Sequence, residues 1–108
     1  MTDKIVVLTT CDSEQQAEEI ARELVQQRLA ACVNIVAGAR SIYRWKDQIE
    51  ESREFLLLIK SRRDLVGGLR AAIEKLHSYE VPEVLALAVI DGAPNYLAWL
   101  DLELKKDG

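Results

Sequence analysis

Between Ser41 and Lys60 the chain reads SIYRWKDQIEESREFLLLIK, two strand-forming arms around a short polar connection. In the first arm Tyr43 and Trp45 fall on one face, and Ile42, Arg44 and Lys46 on the other. In the second, Phe55, Leu57 and Ile59 alternate with Leu56, Leu58 and Lys60. Apolar side chains on both faces of 55–59 predict burial on both sides. Arms of about eight to ten residues would span roughly 25–33 Å. A hairpin that long in a chain of 108 residues is expected to run past its own core and pack on something else, in the first instance a copy of itself.

The length suits a single domain, 1–108. Hydrophobic residues make up 49%, enough for a packed core. Fourteen Lys and Arg against eighteen Asp and Glu leave a net charge of -4, which argues against nucleic acid as a partner. No apolar run is long enough to span a membrane. The opening MTDKIVVLTT has no signal-peptide pattern, so a cytoplasmic location is expected. Cys11 and Cys32 allow at most one internal bridge, and a reducing compartment would keep both as thiols.

Lys4–Thr10 is a β-branched run and predicts a strand. Ser13 with Gln16 fits a reciprocal capping box. Ala17, Ile20, Ala21, Leu24 and Val25 then recur at helical spacing until about Gln27 or Arg28. Leu29–Val36 predicts a mostly buried strand, with Gly38 marking a bulge before the strand resumes. The hairpin turn lacks glycine, so Asp47 must take any left-handed position. Glu50, Glu51, Arg53 and Glu54 suit a solvated beginning to the next strand.

Asp64 is placed to cap a second helix carrying Leu65, Leu69, Ala72, Ile73 and Leu76. Gly67-Gly68 within it points to close packing, since no phosphate-loop Lys-Ser/Thr follows. His77, Ser78 and Tyr79 end that helix. Val84–Ile90 is continuously apolar and predicts a central strand buried on both faces. Pro94 and Asn95 open a last helix with Leu97, Leu100 and Leu104. The fold class is therefore α+β, ferredoxin-like: βαββαβ plus a C-terminal helix, an antiparallel sheet with two helices on one face.

Leu29-Ala30-Ala31-Cys32-Val33-Asn34-Ile35, Ser41-Ile42-Tyr43-Arg44-Trp45, the Glu54–Lys60 strand, His77-Ser78-Tyr79-Glu80-Val81-Pro82-Glu83 and Tyr96-Leu97 with Trp99 occur in one order. Together they closely resemble the CutA divalent-cation-tolerance family, over Ile5 to Leu102. The resemblance implies a PII-like homotrimer, a role in tolerance of copper and other divalent ions, and copper binding through Cys and His. The chain departs from the pattern where some members carry a metal-associated cysteine, here Thr9. Two adjacent histidines become Leu76-His77, the following proline is Ser78, and a turn glycine is Asp47. Only weak binding of Cu(II) or another divalent cation is then implied.

His77 is the one histidine. Imidazole suits divalent copper and zinc, but one ligand makes no tight site. Glu80 and Glu83 lie close enough in sequence to add oxygens, and Cys11, just before a helix N-terminus, is the softer candidate. The competing reading has His77 simply ending its helix against a carbonyl or carboxylate. Cys32, in an apolar strand, reads as a small hydrophobe. Tyr43, Trp45, Lys60, Tyr79 and Glu83 are candidates to line a cleft between subunits, where Lys60 would suit an anionic or zwitterionic ligand. A structural interface competes for the same aromatic residues.

No nucleophile–base pair or metalloenzyme motif is present, so no catalysis is expected. Three functions follow: metal tolerance, a PII-like small-molecule sensor or signalling adaptor, and a trimeric scaffold for a protein partner the sequence does not name.

Overall fold

A computed structural model describes residues 2–106. The strands are β1 (Lys4–Cys11), β2 (Cys32–Trp45), β3 (Gln48–Arg62) and β4 (Leu85–Ala88). The helices are α1 (Glu14–Gln26), α2 (Val66–Leu76) and α3 (Pro94–Glu103), with a short 3-10 turn at Arg63–Leu65 before α2. All pairings are antiparallel and the sheet order is β2-β3-β1-β4. This is the ferredoxin-like order that the alternation of elements predicts.

The core lies between the sheet and the two helices. Ile5 and Val7 of β1 and Leu57 and Ile59 of β3 meet Ala17, Ile20 and Leu24 of α1 and Leu69 and Ile73 of α2. Cross-strand partners share a face, so the register Val7↔Ile59 and Thr9↔Leu57 sets one buried side of the sheet. The alternate residues form the other side. Val6, Leu8, Val36, Leu56, Leu58, Leu85 and Leu87 all fall there by register. This second face is apolar along its middle; among the described residues α1 and α2 pack over the first face, while α3 meets the second at its end, where Asp101 pairs with Lys4 and Arg62.

Two sequence expectations change here. Leu29 and Ala30 are buried but precede β2, and β2 itself is an edge strand with Ile35 and Val36 exposed. The run Val84–Ile90 yields only the four residues of β4, on the opposite edge and exposed along its length. An apolar run reads as buried on both sides whether its cover comes from the same chain or from another.

The hairpin is longer than predicted, with β2 of 14 residues and β3 of 15, and it sets the 44 Å long axis of the protomer. Its turn has two residues. Lys46 (φ 50°) as well as Asp47 (φ 64°) is left-handed, as a type I′ turn requires. The bulge at Gly38 (φ 84°) is present: β2 advances three residues, Val36 to Ala39, while β3 advances two, Leu56 to Glu54. The phase of β2 therefore shifts by one.

Ser13 caps α1, its Oγ accepting from the Gln16 N–H at 3.1 Å. The return half of the capping box is not made. Gln16 Nε2 donates instead to the Leu76 carbonyl (3.2 Å), and its Oε1 accepts from Ser78 N–H and Oγ–H. The end of α2 offers polar groups with no intrahelical partner, and Gln16 ties the two helices there. Asp64 does not cap α2 either; it accepts from Arg62 Nε at 2.7 Å. Arg62 is nearly buried and takes Asp64 and Asp101 as counter-charges, while Asp101 also meets Lys4 at 3.3 Å. Those hydrogen bonds from Lys4 and Arg62 hold the Asp101 carboxyl below its usual range and pin α3 to β1 and β3. Of the two helix glycines only Gly68 is a packing position, where a Cβ would stand 3.1 Å from Leu29 Cδ2.

Candidate functional site

A cavity of about 580 Å³ opens between the hairpin and the segment joining α2 to β4. Ser41, Tyr43 and Trp45 line it from β2, Thr10 from β1 and Glu54 from β3. Tyr79, Glu80, Val81 and Glu83 close it from the connecting segment. The bulge at Gly38 accounts for the aromatic wall. Before it Asn34 and Val36 share the apolar second face; after it Ser41, Tyr43 and Trp45 do, opposite Ser52, Glu50 and Gln48. The cavity is thus continuous with that face.

The predicted cleft residues Tyr43, Trp45, Tyr79 and Glu83 come together, and Lys60 does not join them. β3 runs past Lys60 to Arg62, and the Lys60 ammonium donates to Asn34 Oδ1 on the neighbouring strand. The anionic or zwitterionic ligand that Lys60 was expected to meet has Asn34 in its place. Glu54 is the residue the sequence reading missed. It was grouped with a solvated charge run, yet it is only 6% exposed. Its signal was parity: it alternates in phase with Leu56 and Leu58 and directly adjoins that apolar run.

Tyr79 O–H donates to Glu54 Oε2 at 2.5 Å. Burial first, then this bond, push the Tyr79 phenol well above its usual range, so it stays a donor. Below it lies His77, 8% exposed. His77 Nε2 is 2.6 Å from the Thr10 carbonyl, and Nδ1 accepts the Tyr79 N–H at 3.1 Å. A carbonyl only accepts, so Nε2 carries the proton and neither ring nitrogen has a free lone pair. The ring ends its helix against a carbonyl, as the plainer of the two sequence readings had it.

Cys11, expected as the softer ligand at a helix N-terminus, is placed otherwise. It closes β1 and is fully buried, with Sγ 3.7 Å from His77 Nε2. Burial, then the charges of Asp12 and Glu54, push its thiol up to about 11 from an ordinary 9.0. Desolvation outweighs the nearby helix dipole. Both cysteines are free thiols.

The linkage has a definite sign. The unfolded chain loses the Cys11 proton near pH 9 and the folded chain near 11, so its stabilising effect is complete below about pH 9 and lost as pH rises towards 11. Urea midpoints should fall between about pH 8.5 and 10.5 more steeply in the wild type than in Cys11→Ala. Equal slopes would show that the thiol ionises freely. Glu80 is exposed on the cavity rim. Among the described residues no group of three His, Cys, Asp or Glu is placed to hold a metal ion. The set His77, Cys11 and Glu80 therefore does not fit a tight metal centre within the protomer.

The family described as CutA1 divalent ion tolerance protein matches residues 5–103. The chain is 48% identical over 95 residues to the divalent-cation tolerance protein CutA of Thermus thermophilus, covering 88% of this chain and 92% of that one. It is 50% identical over 91 residues to the mouse protein CutA, covering 84% of this chain but 51% of the mouse protein, so it spans about half the length of that relative. The crystal structure of CutA from Xylella fastidiosa superposes with a TM-score of 0.94 at 41% identity, over 96% of this chain and 100% of that one. With the family matched from the first strand to the last helix, the chain belongs to the CutA1 divalent ion tolerance family.

Proposed function

We propose that this protein serves divalent-cation tolerance as a homotrimer that engages metal weakly. The observation that carries the assembly is the apolar second face of the sheet. Leucines at 56, 58, 85 and 87 with Val6 and Leu8 would leave a continuous patch in water, and patches of that kind mark interaction surfaces. Three-fold order is what the resemblance to the family implies. Unpaired thiols suit a reducing cytoplasm, and the protein works by binding rather than by catalysis. Metal contact in this reading falls to exposed carboxylates, Glu80 and Glu83, because the imidazole is engaged.

Copper titration followed by calorimetry tests the metal part. Wild type and His77→Ala are expected to give the same shallow isotherm, with affinity no tighter than about millimolar. Saturable binding in the wild type that is lost in His77→Ala would restore the histidine as a ligand.

The aromatic cavity favours a second reading, a PII-like small-molecule sensor or adaptor. Its volume lies within the range of small-ligand sites, and it sits where a neighbouring subunit on the apolar face would border it.

A further inference from the structure

The cavity's chemistry is the reverse of what Lys60 would have given. Glu54, Glu80 and Glu83 line it, and no Lys, Arg or His does. Glu54 is the informative one. Its carboxylate is nearly buried, and Tyr79 takes Oε2. Among the described residues Oε1 accepts no hydrogen bond, and no cation comes within ion-pair distance. Among the described residues the one buried side-chain oxygen or nitrogen without a partner is Thr9 Oγ1, so Oε1 is open to the cavity and free to accept from a ligand.

Tyr43 and Trp45 stand across the same space. Aromatic faces attract organic cations and cover methylene chains. Lys46 Nζ already lies 5.7 Å from the Trp45 ring centre, outside the cavity wall. The carboxylates do not gather into a metal-binding group; they are spread over an apolar pocket, which suits positive groups separated by carbon.

We propose that this cavity binds an organic ammonium ion, with the buried Glu54 carboxylate as its counter-charge and Tyr43 and Trp45 as its walls. Glu83 and Glu80 at the rim accept a second ammonium, so a primary diamine fits better than a monoamine. The proposal rests on the small-molecule reading of the cavity and names its ligand class.

Calorimetry with 1,4-diaminobutane, in chelator at fixed ionic strength, tests it against glutarate, a dianion of similar length. The diamine is expected to bind saturably, and glutarate not at all. Glu54→Gln should weaken the diamine by at least about tenfold, the loss of one charge-assisted contact. Glu83→Gln, at an exposed rim position, should weaken it a few-fold, which keeps the test open if Glu54→Gln folds poorly. Glutarate binding without the diamine would overturn the cation proposal and leave the small-molecule reading standing. Binding of neither at about 10 mM would overturn both. Diamine binding unchanged in both variants would place it elsewhere and overturn the assignment.

Discussion

Leu57→Ala is expected to lower the unfolding free energy by about 3–4 kcal/mol, the middle of the range for a buried leucine truncated to alanine. Leu57 is fully buried in β3, between Thr9 of β1 and Ile35 of β2. Strands on both sides and α1 above restrict collapse into the space left behind. Urea unfolding at one fixed chain concentration would measure it, because the proposed assembly would make the midpoint depend on concentration. A loss below about 1 kcal/mol would mean the site relaxes, contrary to the tight sheet–helix packing described above. Leu58→Ala is the informative companion. Leu58 is half-buried in the protomer, so a loss as large as that at Leu57 requires cover from outside the chain.

Leu87→Glu is expected to have the second large effect, converting the assembly to protomers. Leu87 lies on the edge strand β4, opposite Val6, on the apolar second face, and is 49% exposed. A carboxylate there would enter the proposed interface without a partner, and breaking interfaces in this way costs several kcal/mol. Light scattering at micromolar concentration should give three times the chain mass for the wild type and one times for the variant. A monomeric wild type would remove the trimer. A trimeric variant would move the interface away from β4.

Much of the architecture was legible because local chemistry and tertiary role agree. Ser13 begins α1, Pro94 begins α3, and the alternation in β3 gives the buried face, each for reasons contained within a few residues. Failures came where a side chain answers to something distant. Gln16 abandons its own helix start for the end of α2, and Asp64 gives up a cap for Arg62. The exposure of β2 and β4 was unreadable because hydrophobicity records that a residue wants cover, not which chain supplies it. The site divides in the same way. Tyr43, Trp45, Tyr79 and Glu83 were found from side-chain type and the motifs around them. Glu54 depends on strand phase, the exclusion of Lys60 on its distance along β3 from the hairpin tip, and Cys11 on desolvation that only the packed structure shows.

That phase depends on a single residue. Straightening β2 through Gly38, with no residue lost, would restore strict alternation and turn the tip of the hairpin over. Ile42 and Arg44 would then face Glu54 in place of Tyr43 and Trp45. A wall that attracts cations would acquire a fixed guanidinium of its own, neutralising the buried carboxylate from within. The left-handed bulge at Gly38, a residue with no side chain, thus decides whether the pocket's positive charge is built in or must be recruited from solution.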